Sequence, residues 1–323
     1  MGDKAAVWMW LLPKRELIRM STMSRYRIQV HDIYDFRFDT TVKRMVIGPV
    51  RLRATQNVDD QTVPHAVAAS LDVVASTNSD ACRQASNVLD KACTLLDYAY
   101  LLDSGHDSSR GSSRWLRVEY AKKTPTGKAD VELVTDRSLG VRQLLPSIVL
   151  TDHTKSVGLQ SHQVPELIKI LFAGNSAYDQ SVTKSCMAGL ARLHESIRSD
   201  MKGNDRDRSF LTAIMGLEAL FSPESPDDFH PVSSTVALGA AYANTTCISG
   251  DDRIARWREV KALYGLRSRI THGSEGRPLS EKDVVRTRLF LAESIEYSVA
   301  HINEISQVGG FGQWLEHRGL DGS

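Results

Sequence analysis

Beyond about residue 164 the apolar side chains recur at intervals of three and four, and no stretch alternates. That part of the chain can bury them only as amphipathic helices packed on one another. Val164 to Phe172 is a short helical segment, and Ser181 to Ile197 carries Met187, Leu190, Leu193 and Ile197 along one side. Arg206 to Phe221 has a stripe of Phe210, Ile214, Leu217 and Phe221, and Pro223 and Pro226 prevent its continuation. Val232 to Asn244 is alanine-rich and reads as a small helix that neighbours can approach closely. Asp251 to about Thr271 follows, then Ser280 to Ile305 with Val284, Leu289, Leu291, Ile295, Val299 and Ile302. Ser280 and Asp283 stand at capping-box spacing at the start of that last helix.

The preceding half has the other period. Tyr26 to Val30, parts of Met45 to Ala54, and Ala66 to Ala75 read as strands, separated by Gly48-Pro49 and the polar stretch Thr55 to Thr62. Trp115 to Tyr120 and Val131 to Val134 suggest a hairpin around Thr124 to Lys128. Between these strands lies one amphipathic helix, Asn78 to Leu102, with Val88, Leu89, Ala92, Leu95, Leu96 and Ala99 on its apolar side and a cap at Asn78 or Ser79. Gly105 to Ser113 reads as a loop. The expected class is α+β: a mixed α/β N-terminal domain over 1–150, an all-helical domain over 160–306 and a glycine-containing tail over 307–323. The tail's Trp314 and Leu315 fit docking on this subunit or on a second one.

Charge narrows the function less than the periods narrow the fold. With a formal net charge of +1, the chain has no overall basic field to hold nucleic acid or lipid without specificity. Cys82, Cys93, Cys186 and Cys247 are widely spaced, with no C-x-x-C pair, and read as buried thiols of a reducing compartment. The apolar run Ala5 to Leu12 is shorter than the about 20 residues that span a bilayer, so Trp8 and Trp10 are expected to pack on the body or a partner. The expectation is a cytoplasmic protein with no membrane partner.

The most informative run is Leu263 to Gly273, LYGLRSRITHG. On a wheel at about 100° per residue, Trp257, Val260, Tyr264 and Arg267 share one arc, which Leu263 and Ile270 extend, so Arg267 is expected to face inward. A guanidinium there keeps its proton and needs a carboxylate, a carbonyl or an anionic ligand. Glu218, at the edge of the Arg206 to Phe221 stripe, is the best carboxylate candidate. His272 stands at the helix's expected end, followed by Gly273. Spacing alone fits two readings: a structural Arg267–Glu218 pair with His272 as a terminal cap, or a phosphate-handling pair. Arginine offers a fork of donors for phosphoryl oxygens, histidine exchanges protons near neutral pH, and RNA brings its own 2′-hydroxyl nucleophile.

Arg267 followed after four residues by His272 resembles the R-x4-6-H motif of HEPN domains, all-helical modules of RNA-cleaving toxins and antiviral defence proteins. The run LYGLRSRITHG, with FLTAIMGLEALF over Phe210 to Phe221, is most similar to the ApeA-like subgroup, and the likeness covers about 164 to 305. The resemblance implies a homodimer whose two arginine–histidine pairs share a cleft and cleave RNA without metal or other cofactor, leaving 2′,3′-cyclic phosphate and 5′-hydroxyl ends. Carried over, Arg267 would stabilise the scissile phosphate, His272 would transfer a proton or position the RNA, and Glu218 would orient Arg267. Ser268, Arg269 and Tyr264 would support the substrate. Many active members have asparagine, aspartate or histidine after the arginine; here Ser268 can donate or accept a hydrogen bond. A toxin-like or antiphage role would add a phage-derived or cellular trigger, with the N-terminal half as sensor or regulator.

Other classes remain open at this point. Some HEPN domains are noncatalytic dimerisation or binding modules, and the same groups could hold a nucleotide phosphate. The chain has no G-x-x-x-x-G-K-[ST] loop and no H-E-x-x-H, which disfavours a P-loop NTPase or a zinc protease of that kind. In the first half, Arg51, Arg53, Arg114, Arg117, Lys122 and Lys123 are candidates for an RNA path, although scattered basic residues are commonly solvated surface.

Overall fold

The computed structural model describes residues 24–30, 36–38, 44–54, 65–104, 118–123, 129–134, 148–150, 163–173, 180–201, 205–221, 232–244, 249–273 and 277–320. Their class is α+β: a mostly antiparallel sheet, one helix lying against it, and a mostly helical remainder. The strands are β1 (Ser24–Val30), β2 (Phe36–Phe38), β3 (Arg44–Ile47), β4 (Val50–Ala54), β5 (His65–Ala75), β6 (Val118–Lys123), β7 (Ala129–Val134) and β8 (Ile148–Leu150). The main path is ordered β3-β4-β5-β1-β6-β7, every neighbour antiparallel, while β2 joins β5 antiparallel and β8 parallel. The expected hairpin is β6 and β7, in register from Val118 opposite Val134 to Lys123 opposite Ala129.

Alternation decides which face of the sheet is covered. Met45, Ile47, Val50 and Leu52 are buried, while Arg44, Val46, Arg51 and Arg53 between them are exposed. In β5 the inward set is Val67, Ala69, Leu71, Val73 and Ala75. Helix α1 (Asn78–Ser104) covers this face, touching β1, β4 and β5. Its Leu89, Ala92, Leu95, Leu96 and Ala99 are buried as expected, with Val88 at the margin. The cap differs from expectation: Thr77 Oγ1 accepts from Asp80 N–H at 3.1 Å, so the helix is capped one residue before Asn78.

The remaining helices are α2 (Val164–Ala173), α3 (Gln180–Met201), α4 (Arg206–Phe221), α5 (Val232–Tyr242), α6 (Gly250–His272), α7 (Glu281–Ala300), α8 (Ile302–Gln307) and α9 (Phe311–Leu320). Helix α1 also touches α2, α3 and α7, so its apolar surface belongs to one continuous core shared by sheet and helices. The Ser280–Asp283 capping box is present, with Ser280 Oγ accepting from Asp283 N–H and Asp283 accepting from Ser280 N–H. The single helix expected from Ser280 to Ile305 is broken at His301, where φ is −111° and ψ is 20°, and resumes as α8. The tail docks on its own chain. Trp314 is buried, its Nε1–H donates to Glu304 at 3.0 Å, and Phe311 meets Phe221 edge-on at 5.3 Å.

Cys93 and Cys186 are buried, and burial pushes the Cys186 thiol up to about 12. The Cys82 side chain, Cys247, Ala5 to Leu12 with Trp8 and Trp10, and Gly105 to Ser113 lie outside the described residues. Among the described residues no helix is long and apolar enough to cross a membrane.

The helices are joined by a charge that the sequence reading did not single out. Arg288 of α7 is 0% exposed. Its Nε–H donates to Ser196 Oγ at 2.9 Å and its Nη2 to the Ser196 carbonyl at 2.8 Å, and Nη2 also donates to Ser209 Oγ. Ser196 and Ser209 in turn bond each other's carbonyls at 2.7 and 3.0 Å, so one guanidinium clamps α3, α4 and α7. Burial lowers the Arg288 pKa and Asp97 of α1 opposes that shift, leaving the group charged at neutral pH. Asp97 is itself buried and hydrogen-bonded to His194 Nδ1 at 2.7 Å. Burial raises its carboxyl to about 8 against the opposing charges of Arg198 and Arg288.

Arg288→Ala leaves a cavity and removes the donors to Ser196 and Ser209, and is expected to cost about 3 kcal/mol or more in urea unfolding. The Asp97 shift has a definite sign. A carboxyl raised on folding contributes stability that is whole below the unfolded pKa and lost as pH rises through the folded value. Stability is therefore expected to fall between about pH 4 and about pH 8, the interval between ordinary and folded values. Asp97→Asn should flatten that slope in melts taken across the range; an unchanged slope would assign it to other groups.

Candidate functional site

Helix α6 carries most of the candidate residues, and both its ends are fixed locally. Ser249 Oγ accepts from Asp252 N–H at 3.1 Å and Asp252 accepts from Ser249 N–H at 3.1 Å, a capping box. At the other end Gly273 is left-handed, with φ 64°, and its N–H bonds the Arg269 carbonyl. His272 is the last helical residue and is exposed to solvent. Thr271 Oγ1 donates to the Arg267 carbonyl at 2.9 Å, holding the final turn closed.

The buried set on α6 is Arg256, Val260, Leu263, Tyr264 and Leu266. Val260, Leu263 and Tyr264 lie inward as the wheel predicted. Trp257 does not: it is 36% exposed, and Arg256 beside it is the buried one. The packed face takes in Arg256 in place of Trp257, and Arg256 has what a buried charge requires. Its Nη1 donates to Glu293, which also accepts from Asn244 Nδ2 at 3.0 Å, and its guanidinium lies 4.5 Å from the Phe290 ring centre.

Arg267 is correspondingly less buried than expected. Its side chain is 37% exposed, at the edge of the packed face. The expected partner is correct: Arg267 Nη2 stands 3.4 Å from Glu218 Oε1 across the α4–α6 contact. That oxygen has a closer donor, the Tyr264 hydroxyl, at 2.8 Å. Burial, followed by the Glu218 charge, pushes the tyrosine far above its ordinary pKa, so its proton stays on the hydroxyl as a donor. Lys261, a turn before Tyr264, reaches the Ser233 and Ser234 hydroxyls at 3.3 and 3.0 Å and ties α6 to α5.

The other predicted residues flank this cluster without joining it. Ser268 is exposed beside Arg267. Arg269 is half-buried, with a buried Nε that has no hydrogen-bond partner among the described residues, and it lies on the opposite flank of α6. His272 is five residues beyond Arg267, which on an α-helix means about 140° round the axis and about 7.5 Å along it. Within one chain, the arginine and the histidine point to different sides. Among the described residues no group of three His, Cys, Asp or Glu side chains could hold a metal ion.

Of the basic residues proposed as an RNA path, Arg51 and Arg53 lie on the exposed sheet face, with Arg44 directly opposite Arg53. Arg114, Arg117 and the Lys122 and Lys123 side chains lie outside the described residues. The chain matches no family model, no curated protein and no solved structure.

Gly273 sets the point at which the helix stops and His272 is presented. Any side chain there meets the left-handed penalty, so Gly273→Val is expected to cost about 1–2 kcal/mol in chemical unfolding.

Proposed function

We propose that this chain is a metal-independent endoribonuclease of the HEPN type, its N-terminal mixed α/β half followed by a HEPN-like helical bundle. The observation that carries the reading is the half-exposed Arg267, tethered to Glu218 through one contact at 3.4 Å, with an exposed histidine one and a half turns further on. A guanidinium held on one side and open on the other is suited to bind a phosphate. The 2′-hydroxyl attacks phosphorus, forming the P–O2′ bond as the P–O5′ bond breaks. His272 takes the 2′-hydroxyl proton, Arg267 stabilises the charge growing on the phosphoryl oxygens, and the departing 5′-oxygen takes a proton from water, which His272 then replaces. The ends are a 2′,3′-cyclic phosphate and a 5′-hydroxyl.

The divergence of Arg267 and His272 on one helix favours a site shared between two copies, with the arginine of one protomer facing the histidine of its partner. The role that fits is a cytoplasmic toxin or antiphage effector whose N-terminal half answers a phage-derived or cellular trigger. A second reading, a noncatalytic dimerisation or RNA-binding module, is favoured by one observation: Glu218, Tyr264 and Arg267 also join α4 to α6.

One assay separates the two. Single-stranded RNA is incubated with chelator and wild-type protein, Arg267→Ala or His272→Ala. Each substitution is expected to slow cleavage by about 100-fold or more. Equal cutting by all three proteins would remove these residues from the mechanism, and no cutting by any purified form would leave the noncatalytic reading.

A further inference from the structure

The geometry points to Tyr264 as a positioning residue that keeps the Arg267 guanidinium from closing onto Glu218, so that its donors remain available to a nucleic-acid phosphate. This rests on the phosphate-binding reading of Arg267. An unobstructed arginine and carboxylate tend to meet as two parallel bonds at about 2.7–2.9 Å. Other arginines of this chain approach that arrangement. Arg277 reaches both oxygens of Asp283 at 2.7 Å, and Arg286 reaches those of Glu259 at 2.9 and 3.2 Å. Arg267 does not, although its partner is shielded and its own side chain is long enough to reach it.

The difference lies at Glu218 Oε1. The Tyr264 hydroxyl donates to it at 2.8 Å from a ring that is almost fully buried on the same helix, three residues before Arg267. The ring cannot move aside without opening the α4–α6 contact. The hydroxyl therefore takes the shielded approach to this oxygen and leaves Arg267 a single, longer one through Nη2. The remaining guanidinium donors have no hydrogen bond to a protein group among the described residues and sit on a side chain that solvent reaches. The tyrosine satisfies much of the carboxylate's need for donors, while the arginine is oriented by it and not consumed. Phenylalanine keeps the ring and removes only this donor.

The test is binding of a short fluorescein-labelled oligodeoxyribonucleotide, which has the phosphates but lacks the 2′-hydroxyl and so is not cut by this chemistry. Fluorescence anisotropy is measured for wild type, Tyr264→Phe, Glu218→Gln and the double variant, with melting curves to confirm that each folds. Tyr264→Phe is expected to weaken binding by threefold or more, because Arg267 closes onto Glu218. In the Glu218→Gln background the same change is expected to have no effect, since no carboxylate remains to capture the arginine. Unchanged binding by Tyr264→Phe, or an equal loss in both backgrounds, would overturn the inference. Failure of the protein to cut RNA leaves this binding comparison intact, whereas no oligonucleotide binding by folded wild type would overturn it together with its premise.

Discussion

Arg288 holds three helices at one point, and the position of the candidate site follows from it. A guanidinium without water needs its donors used, and Ser196 and Ser209 supply both hydroxyl and carbonyl acceptors from two neighbouring helices. Those serines also bond each other across α3 and α4. Helices α4 and α7 also approach closely at Gly216 of α4, where a Cβ would collide with Leu291 of α7. With α4 fixed in this way, Glu218 two residues later is presented to α6 at a set height.

A second layer of polar contacts fixes α6 itself. Arg256 and Glu293 join its first half to α7, and Tyr264 with Arg267 joins its second half to Glu218 on α4. The capping box at Ser249 and the left-handed Gly273 define the length over which these contacts act. The consequence for chemistry is a helix whose final turn is closed by hydrogen bonds and solvated at once. That turn presents one partly engaged arginine and one exposed histidine, on different sides.

Much of this was legible from residue pattern, and the failures have physical causes. The period change located the sheet and the helices, because a strand face and a helix stripe bury apolar residues at different spacings. Ser280 with Asp283 announced a helix start, and the Glu218–Arg267 pairing followed from a guanidinium in one helix's apolar band and a carboxylate at the edge of another helix's stripe. The wheel fails at Trp257, which it places inward, because Glu293 and the Phe290 ring hold the neighbouring Arg256 there instead. Arg288 gave a usable signal, since it falls four residues after Val284 and three before Leu291, within the apolar spacing. Its serine partners come from two other helices, so no local pattern shows that its charge is satisfied. The break at His301 had no comparable cue, because Val299 before it and Ile302 and Ile305 after it continue the stripe.

The account turns on whether Arg267 of one chain works with His272 of another, and mixing two inactive variants addresses that directly. If the site is shared, a heterodimer of Arg267→Ala and His272→Ala still contains one intact pair, the arginine from the second variant and the histidine from the first. Co-refolding the two should restore metal-independent RNA cleavage that neither variant shows alone. Cleavage that stays at the level of the separate variants, although heterodimers are shown to form, would contradict the shared site.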